Sequence, residues 1–129
     1  MTRTLTLALY VGAGGFIGSV LRYFTGLAAE RMAGSSALPL GTIIANLSGC
    51  LIIGVVAGFA AQRGSLSPEM KLFGMVGILG GYTTFSAFGL QTIELAMAGN
   101  AVMAGMNVAV QTFVGLAAVW GGYYIGRLL

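Results

Sequence analysis

Four long apolar stretches, joined by connections too short to fold on their own, limit this chain to one kind of architecture. The stretches cover residues 5–27, 38–62, 68–98 and 101–128, and only 30–37 and 63–67 resemble loops. A helix of about 20 apolar residues crosses the hydrocarbon core of a bilayer, and each stretch reaches that length. Of the 129 residues, 57% are hydrophobic and 7% charged. Soluble globular domains carry roughly 25% charged residues. A soluble domain of this size could not hide so much apolar surface, so lipid is the expected solvent. The expectation is an all-α membrane protein with a single four-helix transmembrane domain over residues 1–129. A cleaved signal peptide is the competing reading of residues 1–27. The apolar run is long for such a segment and lacks a clear A-x-A site.

Several chemistries are excluded early. The chain has no histidine and one cysteine, Cys50, which lies inside the second stretch. Zinc sites, Ser-His-Asp catalysis and an intrachain disulfide have no residues to build them. The net charge of +3 is no nucleic-acid signal. The basic residues sit mostly at span ends, where cationic side chains reach the lipid headgroups. Arg3, Arg63, Lys71 and Arg127 fall on one side, and Arg22 and Arg31 towards the other. This bias weakly favours cytoplasmic termini and is compatible with insertion in both orientations.

Glycine is abundant, with 22 residues, most of them within the spans. In membranes small residues let helix backbones approach closely. Gly14/Gly18, Gly54/Gly58 and Gly122/Gly126 have the four-residue spacing of such contacts. Four short helices enclose little interior, so a transport pathway is expected at an interface between subunits.

The third stretch is a poor continuous helix, because Gly80-Gly81 is followed closely by Thr83-Thr84. A break near residues 80–84 is expected, dividing the span into two half-helices. Non-helical backbone at membrane depth persists only where it faces protein or a cavity, and in transporters it places carbonyls and helix ends around ions. A simple glycine kink is the alternative.

Polar residues within the spans are the candidate site. Thr42 and Asn46 share a face of the second stretch. Asn107, Gln111 and Gly115 share one in the fourth, with Thr112 beside them. With Thr84 and Ser86 they could line an uncharged, donor-capable track, which suits a small anion better than a cation. Hydrogen bonds that only glue helices together are the alternative. Phe85 and Phe88 lie three apart, just after the expected break. They either pack against lipid and protein, or turn their electropositive ring edges towards an anion. Arg22 either snorkels to the interface or makes a vestibule electropositive. Glu94 is read as interfacial.

Three segments resemble a known family: Gly14-Gly-Phe-Ile-Gly-Ser-Val-Leu-Arg-Tyr23, Gly41-Thr-Ile-Ile-Ala-Asn-Leu-Ser-Gly49 and Gly80-Gly-Tyr-Thr-Thr-Phe-Ser-Ala-Phe88. Over essentially its whole length the chain resembles the Fluc/CrcB fluoride channels. The resemblance implies a dual-topology homodimer of antiparallel subunits in the bacterial cytoplasmic (inner) membrane, with two fluoride pores per dimer. It implies that Asn46 is the central pore amide, that Phe85 and Phe88 are the pore phenylalanines, and that Thr42 and Ser86 belong to the polar track. Arg22 matches the arginine near the vestibule. Gly80 and Thr83 match positions whose backbone carbonyls hold a structural sodium ion on the dimer axis. The chain departs from the family pattern at Ala87, often Thr, and at Gln91, often Glu. It departs again at Asn107, Gln111 and Gly115, where relatives carry other polar residues, often Ser, Tyr or His. These changes are expected to tune conductance.

The implied function is passive, selective export of cytoplasmic fluoride, with no reaction catalysed. A small dual-topology drug/proton antiporter is the first alternative. It needs an ionisable residue inside the membrane, and the first stretch contains no acid within residues 5–27. A non-transporting membrane assembly subunit is the second.

Overall fold

A computed structural model describes every residue except Met1, Ser35 and Ser65. Four helices long and apolar enough to cross a membrane account for nearly all of it: Thr2–Ala33 (α1), Leu40–Arg63 (α2), Pro68–Met97 and Ala101–Leu128 (α5). The third is divided into 68–82 (α3) and Phe85–Met97 (α4). The connections are short, so consecutive spans alternate in direction.

The first helix outruns the apolar stretch that marks it. It continues through Glu30 and Arg31, assigned to a loop by their charge, as far as Ala33. Its 32 residues extend about 48 Å at 1.5 Å per residue, well beyond a hydrocarbon core of roughly 30 Å. The last turns therefore reach past the apolar zone, where Ala28, Ala29, Met32 and Ala33 keep a strong helical preference. Gly34 ends the helix with φ +58°, a left-handed conformation that costs glycine little. At the start of α3, Ser67 accepts a hydrogen bond from the Met70 N–H (3.2 Å) and Pro68 occupies the first turn, the usual signature of a capped start.

Two parallel helix pairs form the bundle. Gly14 and Gly18 of α1 lie directly on the α3 backbone at Phe73, Gly77 and Ile78. Gly54 and Gly58 of α2 lie on the α5 backbone at Val119 and Tyr123, while Gly122 and Gly126 return the contact at Leu51 and Val55. A Cβ at any of these positions would run into a backbone carbonyl, so the spaced glycines are helix contacts, as the sequence indicated. The interior is correspondingly made of small residues such as Ala29, Ala45 and Ala104, together with Asn107. Large side chains such as Leu9, Phe16, Val102 and Leu116 point outwards. This inverted distribution is what a lipid solvent permits and water would not.

Two stretches depart from α-helical winding: Lys71–Leu79 within α3 and Val110–Val114 within α5 are π-helical. Such wide turns recur at functional sites, and the second carries Gln111.

Candidate functional site

The break falls at Thr83 and Thr84, whose backbones are extended (φ −87°, ψ 159° and φ −152°, ψ 121°). A continuous helix would give the Thr84 N–H to the Gly80 carbonyl. Instead it donates to Asn46 Oδ1 at 2.8 Å, and Asn46 Nδ2 donates to the Thr84 carbonyl at 3.0 Å. One asparagine side chain thus satisfies both backbone groups of the residue that leaves the helix. The Thr84 hydroxyl then caps α4 by accepting from the Ala87 N–H at 3.2 Å.

Tyr82 anchors the other side of the break. Its hydroxyl lies 3.0 Å from that of Ser48 and 3.3 Å from that of Thr25. Ser48 and Thr25 each donate their own proton one turn back, to Ile44 and Leu21. The Tyr82 proton is therefore the one shared among them, and it ties α1, α2 and α3 together at the level where the helix ends.

Beside the break is an open cleft of about 480 Å³, lined by Asn46, Thr84, Phe85, Phe88, Gln111 and Thr112 among others. Gly80 and Thr83 border the same cleft. Its described lining carries no charged side chain. The Phe85 and Phe88 rings sit 5.4 Å apart between centroids, inclined at 51°. Phe85 is 83% exposed and Phe88 is half-buried. Asn46 gives its second amide proton to Gln111 Oε1 at 2.6 Å, and Gln111 Nε2 donates to Asn107 Oδ1 at 2.8 Å.

The other candidates lie apart from this cleft. Arg22 and Thr42 line a second, larger cleft of about 610 Å³ with Glu94 and Gln91. Thr42 and Asn46 share a helix face yet border different clefts. Ser86 is exposed, with its hydroxyl 3.2 Å from that of Thr84. Asn107 is wholly buried between α4 and α5, where its Nδ2 donates to the Thr92 hydroxyl at 2.8 Å. Thr92 and Tyr82 escaped the sequence reading. A hydroxyl one turn beyond Phe88 in an apolar helix was the available signal for Thr92. Tyr82 had none beyond its place before the break.

Comparison with known proteins places this geometry in a family. Residues 9–123 match the family model described as CrcB-like protein, Camphor Resistance (CrcB). A fluoride-specific ion channel FluC of Rhizobium etli is 46% identical over 95% of this chain and 97% of the relative. Proteins of the same name from Flavobacterium psychrophilum and Maridesulfovibrio salexigens are each 38% identical. They cover 93% and 94% of this chain, and 96% and 95% of the relatives. A family model spanning most of the chain and relatives aligned almost end to end agree with the four apolar helices: the chain belongs to the CrcB-like family, as a multi-pass protein of the bacterial inner membrane.

Proposed function

We propose that this protein is a passive, fluoride-selective channel that releases fluoride from the cytoplasm. The observation that carries the reading is the Asn46–Gln111 amide pair, set against the Thr84 break and beside Phe85 and Phe88 in an uncharged cleft. Fluoride is small and holds its hydration shell tightly. A conducting site must replace that shell with donors at close range yet release the ion. Neutral amides, hydroxyls and aromatic ring edges do this without the trap a fixed positive charge would set. Asn46, Phe85, Phe88, Gln111 and Ser86 form the proposed pathway. Thr42 and Arg22 form its mouth, in a cleft that Glu30 and Glu94 also line. The names of the relatives support fluoride as the ion.

The pathway is completed by a second copy inserted in the opposite sense. Phe85 stands 83% exposed at the edge of an open cleft, as expected of a surface that an antiparallel partner covers. A structural sodium ion on the dimer axis is part of the same proposal. The Gly80 carbonyl is released from its helical partner because the Thr84 N–H goes to Asn46, and Gly80 and Thr83 border the cleft. Carbonyl oxygens of this kind suit a hard monovalent cation. A sodium ion held there would supply fixed positive charge, and Asn46, by taking the Thr84 N–H, would leave the Gly80 carbonyl free to hold it.

A proton-coupled antiporter is disfavoured by the placement of the acids. Glu30, Glu69 and Glu94 are the only three acidic residues, and all lie near helix ends, Glu30 and Glu94 exposed and Glu69 half-buried. Planar-bilayer recording under a fluoride gradient tests the channel. The account expects the reversal potential to follow fluoride, and a reversal that follows chloride or protons would overturn it.

A further inference from the structure

The amides around the break form one continuous hydrogen-bonded circuit. It begins at the Thr84 N–H, which donates to Asn46 Oδ1 (2.8 Å). Asn46 Nδ2 donates to Gln111 Oε1 (2.6 Å) and Gln111 Nε2 to Asn107 Oδ1 (2.8 Å). Asn107 Nδ2 donates to Thr92 Oγ1 (2.8 Å), and Thr92 donates to the Phe88 carbonyl (2.7 Å). The run starts at Thr84, the cap of α4, crosses α2 and α5, and ends in α4 at Phe88. The enclosed turn carries Phe85, Ser86 and Phe88.

The two ends force a single direction on the whole circuit. A backbone N–H only donates, and a backbone carbonyl only accepts. The Thr92 hydroxyl has one proton, which goes to Phe88, so it meets Asn107 as an acceptor. Asn107 must then turn its oxygen to Gln111, Gln111 its oxygen to Asn46, and Asn46 its oxygen to Thr84. Flipping Asn107 or Gln111 alone sets donor against donor, and flipping all three amides sets Asn46 Nδ2 against the Thr84 N–H. In this arrangement Asn46 has given both amide protons to protein. Gln111 gives one to Asn107 and keeps a second in reserve beside the cleft it lines.

We propose that Thr92 and Asn107 are positioning residues for conduction. They act through Gln111, fixing the direction of the amides that face the cleft and the turn that carries the two phenylalanines. Gln111 is then the amide that offers a free proton to the passing anion, and Asn46 is the joint between the circuit and the break. This inference rests on the channel reading and deepens it.

The test compares Thr92→Val, which removes the hydroxyl at nearly constant shape, with Thr92→Ser, which keeps it. Both are purified and reconstituted beside the unaltered protein. Thr92→Val is expected to lower fluoride flux about tenfold, the scale of losing a buried hydrogen bond. Thr92→Ser is expected to stay within about twofold, because the circuit is intact. A double-mutant cycle separates positioning from simple packing. In a Gln111→Leu background, Thr92→Val should cost nothing further, whereas an equal cost in both backgrounds overturns the proposal. Amide hydrogen exchange across residues 84–88 is a readout independent of transport. It should accelerate in Thr92→Val and not in Thr92→Ser, and unchanged exchange in both also overturns the proposal. If the unaltered protein itself carries no fluoride, the channel reading fails, while the exchange comparison still decides whether the circuit orders the turn.

Discussion

Asn46 and Thr84 pair through both of their hydrogen-bonding edges, with the Thr84 N–H on Asn46 Oδ1 at 2.8 Å and Asn46 Nδ2 on the Thr84 carbonyl at 3.0 Å. The amide of a side chain thereby imitates a neighbouring strand. It lets the helix stop at membrane depth without leaving Thr84's polar backbone groups unsatisfied, which hydrocarbon would penalise heavily.

Replacing Asn46 with alanine should therefore damage both structure and conduction. Thr84 and Gln111 would lose their partners, and each buried polar group left unpaired costs about 1–3 kcal/mol. We predict a clear fall in melting temperature and at least a tenfold loss of fluoride flux, or about 1.4 kcal/mol of barrier. Thermal unfolding of the purified protein and proteoliposome flux check the two halves separately. A stable, fully conducting Asn46→Ala would remove the break from the account.

Phe85 should behave differently. Its ring is 83% exposed on the subunit, so folding of the bundle does not depend on it. Phe85→Ala is predicted to leave the proposed dimer intact by size exclusion while lowering flux by about tenfold or more. Phe88 is half-buried, so Phe88→Ala should cost stability as well as flux. Joint loss of assembly and activity in Phe85→Ala would instead favour an assembly role for the ring.

Much of this was legible in the sequence, for physical reasons. Apolar length marks a span because hydrocarbon thickness is fixed, and Gly80-Gly81 with Thr83-Thr84 marks a break because those residues hold a helix poorly. The paired glycines marked helix contacts because nothing larger fits where backbones touch. The end of α1 was misplaced because charge reports where the hydrocarbon stops, whereas Gly34 determines where the helix stops. The π-helical turn at Val110–Val114 left no trace, since Val, Gln, Thr, Phe and Val also suit an ordinary helix. The Thr92 hydroxyl was visible one turn beyond Phe88, but its role was not, because that depends on Asn107, fifteen residues away in sequence and on another helix. The separation of Thr42 from the Asn46 cleft likewise follows from tertiary packing, since helical spacing puts both on one face.

The glycine contacts yield a prediction about folding alone. A Cβ at Gly122 would strike the Leu51 carbonyl, and backbone cannot move aside cheaply. Gly122→Val should destabilise the α2–α5 pair by about 1–3 kcal/mol, the usual range for overpacking. Gly121, on the same helix with open space around it, is the matched control. Unfolding curves for Gly122→Val and Gly121→Val should differ clearly, and equal stability would contradict the packing described here.

Removing sodium tests the proposed axial ion. Exhaustive exchange of sodium for a large organic cation should slow fluoride flux and lower the melting temperature of the purified protein, and restoring sodium should reverse both. Flux and stability that ignore sodium would sink that part of the proposal and leave the amide circuit untouched.

The central claim is selective fluoride conduction, and ion efflux from liposomes carrying the purified protein tests it most directly. Fluoride-loaded and chloride-loaded vesicles are followed with ion-selective electrodes under the same potassium gradient. The account predicts rapid fluoride release with chloride retained, and slow fluoride release for Phe85→Ala. Well-folded protein that releases neither ion, or both alike, would contradict it.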